Sequence, residues 1–320
     1  MTTILVTPHR FADLEPERET LEPLGANVVA AGDIDELLRL AGDAEALLVT
    51  SFVTVGADLI SRLRRCRAIV RYGIGVNEVD IAAATAAGIP VGNVLDASVE
   101  EVADHAVLLA LACLRRLGET QRSLAGGSWG IGAMRDVRRL STLSAGILGL
   151  GRIGNAVARR LEPFGFDVLA YDPFVTEAMY PLLDLDAVLS RADVLFVHLP
   201  LTEDTRGLLS DTRLALLPHG AVVVNVSRGG IVDENALLER IDRGALGGAG
   251  LDVFEQEPLP ADHPLRASDH VVATPHVAWY SGEASRDLQW GAAQQVARVL
   301  RGERLDPVVN PVVYERFVQA

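Results

Sequence analysis

The chain has 320 residues, 49% hydrophobic, 22% charged and 5% aromatic, a globular composition that excludes a disordered scaffold, a collagen-like chain and a disulfide-stapled miniprotein; the length suits two hydrophobic cores better than one. The formal net charge is −14, and an acidic surface repels nucleic-acid phosphates, so no nucleic-acid partner is expected. All 29 basic residues are arginine, which excludes a Schiff-base lysine, a P-loop Gly-Lys-Ser/Thr and a lysine acid–base group.

From the N-terminus, short β-branched runs alternate with helical periods. Ile4–Thr7 reads as a strand, Glu15–Leu24 as a helix ended by Gly25, Asn27–Ala30 as a strand and Ile34–Leu40 as a helix stopped at Gly42. Ala46–Thr50, Ala57–Arg65, Ala68–Tyr72 and Asp80–Ala87 continue as strand, helix, strand and helix, with Pro90–Val94 extended. Such alternation implies a parallel sheet covered by helices. A long helix is expected from Ser98 to Arg116, with Ser98 as N-cap and Glu101 completing a capping box. Gly118 and a loose stretch, Leu124–Leu140, precede a second series of strands at Ala145–Leu148, Asp167–Tyr171, Val194–His198, Ala221–Val226, Gly248–Val253 and Val271–Ala273. A final helix covers Ser281–Arg301. No apolar run reaches a membrane-spanning length, and the opening Met-Thr-Thr-Ile-Leu-Val-Thr reads as a strand rather than a leader. Cys66 and Cys113 have no metal or redox spacing. The expectation is a cytoplasmic protein with no membrane partner and no metal.

Gly149-Leu-Gly-Arg-Ile-Gly154 follows a strand and opens a helix, Asn155–Leu161, the context in which a glycine fingerprint binds a dinucleotide. Gly149 permits the tight turn, Gly151 lets backbone approach a pyrophosphate, and Gly154 lets the helix pack closely on the sheet. Arg152 and Ile153 lie at the same helix start, where backbone amides hold phosphates. The next strand ends in Asp172, followed by Pro173 and Phe174. A carboxylate there accepts hydrogen bonds from ribose hydroxyls and repels a 2′-phosphate, so NAD(H) is expected over NADP(H). A whole α/β unit precedes the fingerprint, so the nucleotide domain reads as inserted into a discontinuous partner.

Ligands of open α/β sheets bind beyond the carboxyl ends of the strands. Ala221–Val226 empties into Ser227-Arg228-Gly229-Gly230, which puts Arg228 at such an end. Leu251-Asp252-Val-Phe-Glu255-Gln-Glu257-Pro258 puts three carboxylates past another strand, and Ala273-Thr-Pro275-His276 puts a histidine past a third. His9, His105, His219, His263 and His270 read as structural. A histidine, a carboxylate and an arginine together suit carbonyl reduction. The histidine gives or takes the hydroxyl proton, the carboxylate holds its tautomer and raises its pKa, and the arginine polarises the carbonyl.

These motifs resemble the D-isomer-specific 2-hydroxyacid dehydrogenases over essentially the full chain. The resemblance rests on Gly149–Gly154, His198-Leu-Pro-Leu-Thr-Glu-Asp-Thr205, Asn225–Leu237, Leu251–Pro258 and Thr274-Pro-His276. It implies catalytic roles for Arg228, Glu257 and His276 and a nicotinamide contact for Asp252. It places Leu199, Pro200 and Thr205 along the adenosine and pyrophosphate, with Pro173, Val226 and Ser227 in the same cofactor site. It also implies that the turn Arg71-Tyr-Gly73-Ile74-Gly75 grips the substrate carboxylate through its amides. Within the family the likeness is to the C-terminal-binding protein branch, on Ala97–Asp104, Tyr171-Asp-Pro173 and Pro275–Ser281; the residues matching Arg71 and Trp279 face the substrate there. Eukaryotic members of that branch are corepressors with a long disordered tail, and here the sequence stops soon after Asn310-Pro311. Formate dehydrogenases of this fold carry Gln at the position of Glu257, phosphite dehydrogenases a lysine at that of Ile74, and many phosphoglycerate dehydrogenases add C-terminal regulatory domains not seen here.

The implied fold is α/β, with two doubly wound parallel-sheet domains. A flavodoxin-like substrate domain comprises residues 1–98 plus 283–320, a Rossmann NAD domain residues 99–282, and the site lies in the inter-domain cleft. The implied function is an NAD-dependent oxidoreductase, a D-2-hydroxyacid dehydrogenase that interconverts a 2-oxo acid and a D-2-hydroxy acid. His276 and Glu257 form its acid–base pair, Arg228 anchors the substrate, and domain closure excludes water. The alternative is an NAD(H)-responsive scaffold with vestigial activity. A homodimer through the NAD domain is expected, with Val99–Leu114 as a candidate interface element. Ile74 beside Tyr72 and Trp279 suits an uncharged or aromatic substrate side chain, whereas Arg71 and Arg135 suit a second anion; both remain open.

Overall fold

A computed structural model describes residues 2–134 and 136–315; Arg135 lies outside the described residues. In chain order the elements are β1 (Thr2–Val6), α1 (Glu15–Leu21), β2 (Ala26–Ala30), α2 (Ile34–Leu40), β3 (Ala44–Val49), α3 (Ala57–Arg62), β4 (Ala68–Arg71), α4 (Ile81–Ala86) and β5 (Val91–Gly92). There follow α5 (Val99–Leu114), α6 (Leu117–Ala125), β6 (Ser144–Leu148), α7 (Arg152–Leu161), β7 (Asp167–Tyr171), α8 (Leu185–Leu189), β8 (Val194–Val197) and α9 (Asp211–Leu214). The chain continues with β9 (Ala221–Asn225), α10 (Glu234–Asp242), β10 (Leu246–Leu251), β11 (Val271–Ala273) and α11 (Gly282–Leu300). The backbone divides into two compact units, Met1–Ser98 with Ser281–Ala320, and Val99–Tyr280.

Local chemistry starts these helices where the chain shows it. Asp33, Asp80, Asp233 and Ser281 cap α2, α4, α10 and α11 by accepting the N–H of Glu36, Ala83, Ala236 and Ala284. The long helix expected to Arg116 ends at Leu114, and a separate helix, α6, covers Gly118 and reaches Ala125, just inside the stretch read as loose. The break falls on Arg116, a non-glycine residue at φ 48, whereas Gly118 lies inside α6.

The first unit is a five-stranded sheet in the order β2-β1-β3-β4-β5, every pairing parallel. This is the flavodoxin-like order, reversing direction between β1 and β3. Alternate residues feed two cores: Ile4, Val6, Leu48 and Val70 pack with Ala292, Ala293 and Val296 of α11, and Leu5, Leu47, Val49 and Ile69 pack with Leu37, Leu59 and Ile60.

The second unit is a six-stranded sheet in the order β11-β10-β9-β8-β6-β7, also parallel throughout. Its direction reverses between β6 and β8. One face packs α5 and α7 through Val102, Ala106, Leu109, Ala156, Val157 and Leu161, and the other packs Val188, Leu214 and Leu237. The architecture is thus α/β with two doubly wound parallel sheets, as expected. The Val99–Leu114 helix spends most of its apolar surface on its own unit and leaves Leu108 outward.

Both cysteines are free, and burial pushes each thiol up to about 12, so neither is a thiolate near neutral pH. Among the described residues no helix is long and apolar enough to cross a membrane, and no cluster of ligating side chains could hold a metal ion.

Candidate active site

Three loops leave the carboxyl edge of the second sheet and carry Arg228, Glu257 and His276. After β9, the buried Asn225 staples the turn: its Oδ1 accepts the Ser227 N–H (3.1 Å) and hydroxyl (2.9 Å), and its Nδ2 donates to the Arg228 carbonyl (2.9 Å). Arg228 returns one donor, Nη1, to the Ser227 carbonyl at 2.6 Å. Gly229 then runs so close to the next loop that an added Cβ would overlap the Phe254 carbonyl. Glycine at this position lets the arginine loop and the loop after β10 touch backbone to backbone.

That second loop presents Glu257. Its Oε1 accepts the Phe254 N–H at 2.9 Å, and its Oε2 accepts from His276 Nδ1 at 2.6 Å. An ionised carboxylate assigns the Nδ1 position to the proton and leaves Nε2 for proton exchange. Burial alone would push the Glu257 carboxyl up. The hydrogen bond and charge of His276, the Phe254 amide and the charge of Arg228 outweigh it, and the group lies below its ordinary value.

His276 sits at φ 55, unusual for a residue other than glycine. Asp252, whose relative exposure is 0%, holds it there. The Asp252 carbonyl accepts the His276 N–H at 2.8 Å. Its carboxylate accepts the Thr274 hydroxyl (2.6 Å) and the N–H groups of Val277 (2.9 Å) and Ala278 (2.8 Å). His105 Nε2, from α5, reaches Thr274 Oγ1 at 2.9 Å. A strained backbone persists only where its surroundings over-determine it, and here Asp252 does so, through its carbonyl at His276 and its carboxylate on the residues to either side.

Glu234 was not among the expected site residues. It opens α10, is buried, and its Oε1 accepts the Glu255 N–H at 2.5 Å, while His263 Nε2 lies 3.9 Å from its Oε2. Burial pushes its carboxyl up against the opposing Glu255 amide and His263. That its side chain turns inward to brace the Glu257 loop was not legible, because Glu255 lies 21 residues away.

The glycine loop after β6 divides its labour. Gly149 has φ 90, and its Cβ would meet the His198 carbonyl oxygen at 2.6 Å; at Gly154 a Cβ would overlap the Gly149 carbonyl. At Gly151 a Cβ would meet no heavy atom within 4 Å, so this glycine leaves open space at the start of α7, as a pyrophosphate cradle requires. Asp172 accepts the Leu150 N–H (2.8 Å) on one oxygen and the Phe174 N–H (2.9 Å) on the other, which braces the glycine loop beside it. Arg152 and Pro200 are exposed, Ile153 is partly buried, and Leu199 and Val226 are buried. Thr205 ties its own loop by donating to the Pro200 carbonyl at 2.6 Å. His198 is stacked on Phe196, and burial pushes its imidazole down to about 4, so it stays neutral. These features fit a dinucleotide.

Residues 107–278 match the family model for the D-isomer specific 2-hydroxyacid dehydrogenase NAD binding domain. The chain belongs to that family. It is 38% identical to a D-3-phosphoglycerate dehydrogenase of Methanocaldococcus jannaschii, over 97% of this chain and 60% of the relative. It is 38% identical to a hydroxypyruvate reductase of Thermotoga maritima, over 79% of this chain and 83% of the relative. The structure of D-lactate dehydrogenase from Aquifex aeolicus, complexed with NAD and lactic acid, superposes with a TM-score of 0.86 at 26% identity, covering 96% of this chain and 99% of that one. The chain spans 53–60% of the length of the D-3-phosphoglycerate dehydrogenases it matches.

In the first unit, the turn after β4 is built around Arg71. Its Nη1 donates to the Tyr72 carbonyl at 2.5 Å and its Nη2 to Glu78 Oε1 at 3.2 Å. Gly73, at φ 126, leaves room for that guanidinium, which an added Cβ would strike. Asn93 Nδ2 donates to the Ile74 carbonyl at 2.6 Å, leaving the Ile74 side chain outward next to Gly75. Tyr72, read with Ile74 as a possible pocket wall, instead sends its hydroxyl into the core to donate to Glu17 at 2.7 Å. Trp279 packs on the second unit's core and meets Tyr280 edge-on at 5.4 Å.

Proposed function

We propose that the chain is an NAD(H)-dependent dehydrogenase that interconverts a 2-oxo acid and a D-2-hydroxy acid. The observation that carries this reading is the 2.6 Å contact of His276 with Glu257, on a loop gripped by buried Asp252. Arg228 and the open glycine loop leave the same sheet edge. The family assignment, and relatives named as dehydrogenases and reductases, support it.

NADH, when bound, supplies the hydride that reaches the carbonyl carbon. Gly151 and the amides of Arg152 and Ile153 are suited to its pyrophosphate and Asp172 to its ribose hydroxyls, whereas Asp252, expected at the nicotinamide, is fully buried and acts by holding the His276 loop. His276 Nε2 gives its proton to the carbonyl oxygen as that oxygen becomes a hydroxyl, and takes it back in the reverse direction. Glu257 holds the Nδ1 proton throughout and stabilises the imidazolium. Arg228 binds the substrate carboxylate and polarises the carbonyl.

We infer a homodimer formed through the second unit, using the exposed Leu108, Leu117, Leu124, Trp129 and Ile131; sedimentation equilibrium tests it. The branch likeness to C-terminal-binding proteins and a cytoplasmic location belong to the same reading.

NADH oxidation against a panel of 2-oxo acids tests the function, with turnover expected on at least one and NADH preferred over NADPH. Equal use of NADPH would overturn the role given to Asp172. His276→Ala should lose about 10²–10⁴-fold in turnover and still bind NADH; unchanged turnover refutes its role as acid.

A further inference from the structure

The strand that delivers His276 is a weak support. β11 is three residues long and sits at the edge of the second sheet, paired to β10. The residues past its end need a second anchor, and α5 supplies one. At Gly250 of β10 an added Cβ would meet Leu109 Cβ at 2.7 Å, so the helix lies pressed on that strand. One turn before Leu109, His105 reaches the end of β11, where its Nε2 lies 2.9 Å from Thr274 Oγ1 and 3.7 Å from Asp252 Oδ1. At the other end of β11, Glu119 of α6 reaches His270 Nδ1 at 3.1 Å and Arg122 takes Asp269 at 2.8 Å. All of these residues belong to the unit Val99–Tyr280.

A threonine has a single hydroxyl proton, and Thr274 gives it to Asp252 Oδ1 at 2.6 Å. With that bond in place Thr274 can only accept from His105, so the His105 ring carries a proton on Nε2. The donors then run in one direction, from His105 to Thr274 and from Thr274 to Asp252, an arrangement in which each bond polarises the next. Thr274 also touches the acid directly. Its carbonyl shares the His276 N–H, at 3.1 Å, with the Asp252 carbonyl at 2.8 Å. His105 thus orients the residue that faces Asp252 with its side chain and His276 with its backbone. The neighbours Val102, Ala106 and Leu109 make the core contacts of this part of α5, which leaves the imidazole for the bond to Thr274.

We propose that His105 is a positioning residue for His276: it donates to Thr274, and through Thr274 and Asp252 it sets the strained backbone from which the acid works. The assignment rests on the dehydrogenase reading above and adds a residue of helix α5 to a site otherwise carried by loops.

The test measures kcat and KM with NADH and whichever of glyoxylate, pyruvate and hydroxypyruvate wild type reduces fastest, and NADH affinity by fluorescence titration. The variants are His105→Leu, His105→Gln, Thr274→Val and the double variant His105→Leu/Thr274→Val. His105→Leu should lose about 10–100-fold in kcat, the scale of a slightly misplaced catalytic group, with NADH affinity unchanged. His105→Gln, whose amide nitrogen can stand where Nε2 stands, should recover most of that loss. Because His105 acts through Thr274, the double variant should lose no more than Thr274→Val alone, a coupling expected of residues in one network. Wild-type kcat in His105→Leu, no recovery in His105→Gln, or losses that multiply in the double variant would each overturn the assignment. A second measurement separates it from the dehydrogenase reading: the ring ¹⁵N shifts of His276 in histidine-labelled protein, identified by their absence from His276→Ala. They should move in His105→Leu and return in His105→Gln. If wild type reduces no 2-oxo acid, the dehydrogenase reading fails and these shifts decide the role of His105; shifts unchanged in His105→Leu refute it.

Discussion

Asp252→Ala tests whether one buried carboxylate sets the geometry of the proposed acid. The substitution removes the acceptor for the Thr274 hydroxyl and for two backbone amides. Thr274 has a second partner in His105 Nε2 at 2.9 Å and can turn its hydroxyl to it. The Val277 amide sits on a residue 41% exposed and can bind water, whereas Ala278 is 4% exposed and its amide is stranded. A buried donor left unpaired costs about 1–3 kcal/mol. With a smaller loss at Val277, the loop and its unit should be destabilised by about 2–4 kcal/mol, a large share of a typical domain's stability. Asp252→Asn keeps one oxygen but turns an amide NH₂ toward the Ala278 N–H, and should fall between the two. Released from the grip, His276 relaxes from φ 55, and a displacement near 1 Å costs about 10²-fold in rate. Urea unfolding followed by tryptophan fluorescence, together with NADH oxidation, reads both effects. An Asp252→Ala protein with the wild-type unfolding midpoint and wild-type turnover would refute the reasoning.

Two further expectations follow from particular contacts. Gly151→Val meets open space and should leave thermal stability within about 1 kcal/mol of wild type while weakening NADH binding in a fluorescence titration; Gly154→Ala drives a Cβ into the Gly149 carbonyl and should destabilise the fold itself. Burial pushes the Glu234 carboxyl above its ordinary 4.5, so the folded protein binds that proton more tightly than the unfolded chain. The resulting stability is present below 4.5 and lost as pH rises through the raised value. Glu234→Gln keeps an acceptor for the Glu255 N–H and removes this titration. Its Tm relative to wild type should rise with pH across the weakly acidic range, and a pH-independent difference counts against the assignment.

The alternation of strand and helix, the two parallel sheets and most helix starts were legible in the sequence. Each depends on residues a few positions apart: a β-branched run, a capping Ser, a glycine after the last turn. The glycine loop, Asp172, Arg228, Glu257 and His276 were legible as candidates for the same reason, since each lies directly after a strand, where a parallel sheet delivers its loops. Tertiary structure decided the rest, through partners distant in the chain. The break at Arg116 falls on a residue with no local signal for φ 48. Glu234 braces a loop 21 residues away, and Asp252 holds amides 25 and 26 residues away. The Tyr72 hydroxyl turns to Glu17 across 55 residues, which makes it core rather than pocket wall. Arg71 and Arg10 are both arginines at one sheet edge. Folding gives the first a carboxylate seven residues on and the second an aromatic ring instead. Sequence order supplied the chemical groups, and burial and pairing across the fold determined how each of them is held.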